Sequence, residues 1–419
     1  MSDKTILIIG TYDTKDDELN YVASRIKAQG GQVLTMDVSV LGDPSTPTDY
    51  SKHAVAEAGG STIQAAIDSG DENTAMQIMA EGCAALCLRL WHDRMFDGLI
   101  MLGGSMGTDL ALDVTAALPV GVPKYIVSTV SFSPMLPPER LAPDVQMILW
   151  AGGLYGLNAI CRSSLSQAAG AVLGAARAVE YPPRDRPLVG MTSLGSSALR
   201  YMLRLKPALE ERGFDLAVFH ATGMGGRAFE GLAAQGAFAC VMDFCTQEVG
   251  NHIHGSNISA GPDRLTAAGR RGVPQIVSAG CYDLVDIVAW QGVPEKWSGH
   301  PSHTHNRLIN SVVLNEEERR AVARAHCERL ASAQGPTAFV MPNKGFGEWD
   351  REGADLHDPQ GLDAFLAEMR SQVPSNVDFR ELDCHINDDA FADTVLEIFD
   401  GWRDAGVVAN SSNGEGPAP

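Results

Sequence analysis

The sequence predicts an α/β protein of two Rossmann-like subdomains whose parallel sheets face each other across a cleft. Three observations carry this. Short apolar runs such as TILIIG (Thr5–Gly10) and FDGLIML (Phe96–Leu102) have the pattern of strands buried on both faces. Amphipathic helical patterns alternate with those runs, which is the βαβ arrangement with right-handed crossovers. A proline-rich break, YPPRDRP at Tyr181–Pro187, interrupts the chain, and the alternation restarts beyond it. The expected division is 1–183, 184–407 and a small polar tail over 408–419.

The elements follow in order. After Thr5–Gly10, Leu19, Val22, Ala23 and Ile26 share one face of a helix over Asp16–Gln29, stopped by Gly30-Gly31. Gln32–Val38 is the second strand. A polar stretch with a short helix leads to a long helix over 72–94. The strand Phe96–Leu102 then runs into GGSMGTD. Lys124–Val127 and Gln146–Trp150 are further strands, and Asn158–Glu180 an Ala-rich helix. Past the break, strands are expected at Leu188–Thr192, Asp215–His220, Phe238–Asp243, Gln275–Ser278, Thr337–Val340 and Val377–Asp383. Helices are expected at Ser197–Arg212, Arg227–Gln235, Asn315–Ala333, Gly361–Ser371 and Asp389–Asp400.

Composition narrows the function classes. With Lys+Arg 32 against Asp+Glu 52, the formal net charge is −20, which disfavours nucleic acid and anionic membranes as direct partners. No segment has the ~18–20 uninterrupted apolar residues of a membrane span. The opening residues form a strand rather than a signal peptide, and eight cysteines without CxxC spacing suit reduced thiols, so a cytoplasmic location is expected.

Glycine pairs recur after strands: Gly103-Gly104-Ser105-Met-Gly107-Thr108, Gly152-Gly153-Leu-Tyr-Gly156 and Gly223-Met-Gly225-Gly226-Arg227. A loop that leaves a parallel strand and opens a helix presents unpaired N–H groups and the positive end of the helix dipole, and glycine lets a phosphate approach. None is a Walker A loop or a GxGxxG fingerprint. Asp13 and Thr14 follow the first strand, where ligands commonly bind. Asp37 ends the second, as a ribose-binding carboxylate would, or as a turn cap.

The histidines cluster. His252 and His254 alternate in GNHIHG, and His303 and His305 in GHPSHTHN; an extended backbone would put each pair on one face, suited to Zn²⁺ or another divalent metal, with Glu248 and Asp243 nearby. The alternative is surface histidines bonded to backbone. Lys344 in MPNKGFGEWD and His385 in CHINDD lie at strand ends, where they could polarise a carbonyl or carboxylate; Asn387 or Asp388 could cap the last helix. Cys281 is a formal nucleophile without an assignable base, hence a buried thiol.

Several stretches, IGTYDTKDDELNYV, FDGLIMLGGSMGT, AGGLYGLNAICRSSLSQAAGA, FHATGMGGRAFEGL, SAGPDRL, MPNKGFGEWD and CHINDDAFAD, together resemble the ATP-binding domain family of the tomato mosaic virus resistance protein, also called uncharacterised protein family 0261. The resemblance spans about Thr5 to Asp393. It implies two Rossmann-like subdomains, ATP binding (with Mg²⁺ as a companion) and self-association as a homodimer. Thr11, Asp13, Thr14, Gly103, Gly104, Ser105, Gly107 and Thr108 match its N-terminal motifs. Gly223, Gly225, Gly226 and Arg227 match its second glycine loop, Asn158 and Arg162 the pattern after the AG loop, and Glu248 an acidic position. GNHIHGS and HNRLINSVV depart from the family pattern.

Two functions are therefore expected. One is a nucleotide-binding protein with phosphates on Gly103–Thr108. The other is an enzyme acting on a small carbonyl or carboxylate metabolite, with Lys344, His385 and Glu248 as catalytic candidates and His252, His254, His303 and His305 as metal ligands.

Overall fold

The computed structural model describes residues 3–180, 186–195 and 197–408. They form two compact units divided at 182/183. Most of the expected proline break and the tail after Val408 lie outside the described residues.

Unit 1 holds five strands: β1 (Thr5–Gly10), β2 (Gln32–Asp37), β3 (Gly98–Gly103), β4 (Lys124–Ser128) and β5 (Gln146–Leu149). All pair in parallel, in the order β2-β1-β3-β4-β5. Its helices are α1 (Asp16–Ala28), α2 (Lys52–Ala58), α3 (Ile63–Asp68), α4 (Glu72–His92), α5 (Ser105–Ala117) and α6 (Ala159–Ala178). Successive side chains of a strand point to opposite faces, and here both faces are covered. Leu7, Ile9, Leu99 and Met101 join one core with α2 to α5. Ile6, Ile8, Ile100 and Leu102 join another with α1 and α6. Each fully buried aliphatic side chain contributes about 1.5–3 kcal/mol. That two-sided burial is why β1 and β3 are continuous apolar runs.

Unit 2 repeats the scheme with one strand more. Its parallel sheet comprises β6 (Leu188–Ser193), β7 (Asp215–His220), β8 (Cys240–Cys245), β9 (Gln275–Gly280), β13 (Thr337–Pro342) and β14 (Val377–Leu382), in the order β14-β13-β9-β8-β6-β7. Between β9 and β13 the chain makes a separate antiparallel sheet from β10 (Leu284–Val288), β11 (Ser302–Thr304) and β12 (Ile309–Val313), which the sequence reading lacks. The helices are α7 (Arg200–Glu211), α8 (Met224–Ala234), α9 (Gln247–Ile253), α10 (Ala267–Arg271), α11 (Glu316–Ala331), α12 (Pro359–Gln372) and α13 (Asp389–Asp404). Asn315 and Glu318 form a reciprocal capping box on α11.

In both units the second strand lies on one side of the first and the third strand on the other. The order reverses there, and the crevice at the carboxyl ends of those strands is where doubly wound sheets bind ligands. In unit 1 it lies between β1 and β3; in unit 2, between β6 and β8.

Candidate functional site

At the unit 1 switch point, α5 begins with Gly104 as its N-cap, which supplies no side-chain bond. The first helical bond runs from Thr108 N to Gly104 O. Among the described residues no acceptor faces the N–H groups of Ser105, Met106 and Gly107, and Ser105 and Met106 are exposed. A cleft of about 500 Å³ opens from this helix end. Met76, Met106, Leu112, Val130 and Leu136 make its apolar wall, with Asp71, Glu72, Asp109 and Arg140 around it. Arg140 is ion-paired to Asp109 and to Asp113 (2.8 Å).

The other residues expected here divide into presented and enclosed groups. Thr11 and Thr14 join their hydroxyls (3.1 Å) in the loop after β1. Asp13 is half-buried; its Oδ2 accepts from Gly42 N (3.3 Å), while Oδ1 is enclosed without a partner. Asp37 is turned inward, its Oδ1 accepting from Tyr12 N (3.3 Å), Ser39 N (2.9 Å) and Ser39 Oγ (2.5 Å), so it braces the β1 and β2 loops. Thr108 is fully buried between Gly104 O and Ser128 Oγ, each at 2.6 Å. Gly103 serves packing, since a Cβ there would stand 2.6 Å from the Gly107 backbone. In the Gly152–Gly156 loop, Gly156 N donates to buried Glu18 (2.8 Å) and Asn158 caps α6.

The Gly223 loop of unit 2 corrects the sequence expectation. It follows β7, the outer strand, and its N–H groups already have an anion. Glu248, wholly buried, accepts from Gly223 N (2.5 Å) and Gly226 N (3.1 Å). A Cβ on Gly226 would lie 1.8 Å from Glu248 Oε2, and one on Gly225 would lie 1.7 Å from His220 O. These glycines, with Gly223 at φ +87°, admit an internal carboxylate and a close strand.

Glu248 belongs to a larger buried network that the sequence reading does not single out. Arg264, fully buried, donates to Asp243 through both Nη atoms (2.5 and 2.7 Å), to Glu248 through Nε (2.7 Å) and to Glu230 (3.1 Å). One cation faces three carboxylates. Thr192 Oγ1 donates to Asp243 (2.7 Å), and Leu265 N and Ala267 N donate to Glu230 (2.5 and 2.8 Å). Burial pushes the Glu230 and Glu248 carboxyls up against the pull of Arg264. Glu248 is thus held from three sides, by Gly223 N, Gly226 N and Arg264. Its only sequence signal is the acidic position after Asp243, and Arg264 has only its place in SAGPDRL.

Of the remaining candidates, the Lys344 and His385 loops are joined, through Lys344 N to Cys384 O (3.0 Å) and Ile386 N to Gly345 O (3.1 Å), while the two histidine pairs form no metal site among the described residues. His252 lies in helix α9 and His254 is its C-cap, so the segment expected to be extended is helical. His252 Nδ1 meets Ser259 Oγ (3.3 Å), and His254 Nε2 meets Glu318 O (3.4 Å). His303, on β11, and His305 pack on Trp349, with ring centroids 4.2 and 6.0 Å apart. Among the described residues no group of three or more His, Cys, Asp and Glu could hold a metal. Lys344 makes an exposed ion pair with Asp383 (3.0 Å). His385 is buried among Gly347 O (2.9 Å), Asp350 Oδ1 (3.2 Å), Arg351 (3.0 Å) and Asn387 N (3.1 Å), and holds the MPNKGFGEWD loop. Asn387 caps α7, accepting from Leu199 N (3.2 Å) and Arg200 N (3.1 Å), while Asp388 stands at the N-cap of α13, its side chain accepting from His385 N (2.9 Å) and not from the helix. Cys281 is a buried thiol, pushed up by Cys245 and by burial.

The fold and its sites define a class: a tandem of parallel, doubly wound α/β units, one with an open switch-point helix and one internally filled. The sequence matches the Uncharacterised protein family (UPF0261) N-terminal domain over residues 4–181 and its C-terminal domain over 186–403. The chain belongs to that family. It is 56% identical over 407 residues to a UPF0261 protein of Brucella melitensis, covering 97% of each chain. It is 33% identical over 391 residues to one of Clostridium tetani, covering 93% of this chain and 96% of that one. The ToMV resistance protein Tm-1(GCR237) of Solanum lycopersicum is 26% identical over 424 residues, which cover 94% of this chain and 55% of the plant protein. No helix among the described residues is long and apolar enough to cross a membrane.

Proposed function

We propose that unit 1 binds a nucleotide, ATP, with its phosphates at the start of α5 and its nucleoside along the adjoining cleft. The observation that carries this is the open amino end of α5, with unpartnered N–H groups at Ser105, Met106 and Gly107, beside a cleft of about 500 Å³. A 13-residue helix offers its positive end to a phosphate there. A chain of net charge −20 has few spare cations, so backbone dipoles suit the task. The acidic rim of Asp71, Glu72 and Asp109 favours a phosphate accompanied by Mg²⁺ over a bare one. Self-association as a homodimer and a cytoplasmic location belong to the same proposal.

The test is the thermal stabilisation of the protein by millimolar MgATP in the wild type and in Ser105→Asp. A carboxylate at the first helical position favours the helix by about 0.3–1 kcal/mol but repels a phosphate. The expected outcome is a rise in Tm with MgATP that Ser105→Asp abolishes while keeping its unliganded Tm. No shift in the wild type, or the same shift in the variant, rejects the proposal.

A further inference from the structure

The loop between β4 and β5 supplies one side of the unit 1 cleft, through Val130, Met135, Leu136, Pro137 and Arg140. Arg140 closes the short 3₁₀ turn Pro138–Arg140. Among the described residues that line the cleft it is the one cation, against Asp71, Glu72 and Asp109. Its guanidinium lies along α5: Nη1 donates to Asp109 Oδ1, and Nη2 donates to Asp109 O (3.1 Å) and to Asp113 Oδ1 (2.8 Å). Those bonds use three of the five N–H donors of a guanidinium and leave Nε–H and one Nη1–H without a partner.

Stability alone does not account for this arrangement. The two ion pairs are partly exposed, and pairs of that kind contribute little to folding. They do fix a long, flexible side chain from two sides at the wall of a cleft of about 500 Å³. That is pre-organisation of a cation whose planar fork suits phosphate oxygens. Position adds a second constraint. Asp109 follows Ser105 by four residues, about 6 Å along the helix axis, and the guanidinium bonds the backbone oxygen of Asp109, one turn beyond the open N–H groups at the start of α5. A lone phosphate seated on those N–H groups leaves Arg140 unused; a chain of phosphates reaches both.

We infer that Arg140 determines how many phosphates the ligand of unit 1 carries. It binds the terminal phosphate of a nucleoside triphosphate, with Asp109 and Asp113 as the residues that position it, so that the cleft discriminates against the monophosphate. Without Arg140 the rim holds carboxylates alone, and these repel a polyphosphate more strongly the longer it is. The inference rests on the nucleotide reading of unit 1 and names the residue that sets its selectivity.

The test measures binding of MgATP, MgADP and AMP to the whole chain by calorimetry, in the wild type, Arg140→Gln and Arg140→Lys. The wild type should bind MgATP most tightly and AMP most weakly. Arg140→Gln should weaken MgATP by about tenfold, the loss of one charge-assisted hydrogen bond, while AMP changes by about twofold at most. Arg140→Lys, with the charge but without the fork, should recover part of the MgATP affinity. The unliganded Tm should stay within about 4 °C in both variants, because the pairs they alter are partly exposed. A residue that only shapes the loop would weaken all three nucleotides alike. Equal losses for the three nucleotides, unchanged MgATP binding in Arg140→Gln, or a wild type without preference for MgATP over AMP overturns the inference and leaves the nucleotide reading standing. A wild type that binds none of the three overturns both.

Discussion

In unit 1 the helix after the third strand starts at Gly104 with N–H groups open to solvent. In unit 2 the comparable chemistry, glycines at the amino end of α8, is closed by the carboxylate of Glu248, which Arg264 holds in turn. The strand order reverses in the same way in both, and the glycine loops look alike in sequence. A glycine loop therefore reports a close approach to the backbone and not by itself a ligand. In unit 2 what approaches is the protein's own carboxylate, 22 positions from Gly226.

The largest expected effect breaks the unit 2 side of this contrast. Arg264→Met leaves Asp243, Glu230 and Glu248 buried without their cation and should cost about 3–5 kcal/mol. Denaturant unfolding should show unit 2 lost first, while unit 1 keeps its response to MgATP; an unchanged midpoint would remove the network's structural role.

A paired glycine substitution sharpens the contrast. Gly226→Ala drives a Cβ into Glu248 and should destabilise by about 3 kcal/mol. Gly104→Ala meets nothing closer than 3.8 Å and has φ −76°, so its cost should be limited to the poorer N-cap, about 0.5–1 kcal/mol. Equal losses in the two variants, measured by urea midpoints, would mean the loops are not different in kind.

A smaller effect concerns pH. Burial and Asp350 raise the Asp283 carboxyl of unit 2 from 3.8 to about 7. The folded state then holds a proton that the unfolded chain releases, so this group favours folding below the unfolded value and loses that contribution as pH rises through about 7. Asp283→Asn should gain in Tm relative to the wild type between those limits; a constant difference would place the carboxyl outside this pH window. His326, lowered to about 4 by burial, has the opposite slope below 6.5, so the comparison must be variant against wild type.

Much of the scaffold is legible from residues 5–103 alone. TILIIG and GLIMLG are buried on both faces, and only a sheet covered by helices on both sides demands such runs. The antiparallel sheet was not legible, because LVDIV, SHT and INSVV mix polar and apolar residues according to local packing and lack a full alternation. At the sites, the glycines were visible and their partners were not. His252 and His254 alternate as an extended segment would, yet the chain turns into a helix directly after β8, and spacing alone does not reveal that turn. Arg264 acts through contacts across 16 to 34 positions of sequence, beyond the reach of any local pattern.

The Arg264 cluster also governs how unit 2 can assemble. Its four charged groups come from α8, β8, α9 and the segment before α10, and the three carboxylates assembled without Arg264 leave uncompensated charge out of water. Placing β8 and α9 without the loop that brings Arg264 is thereby penalised, so the cluster couples α8, β8 and α9 to that loop.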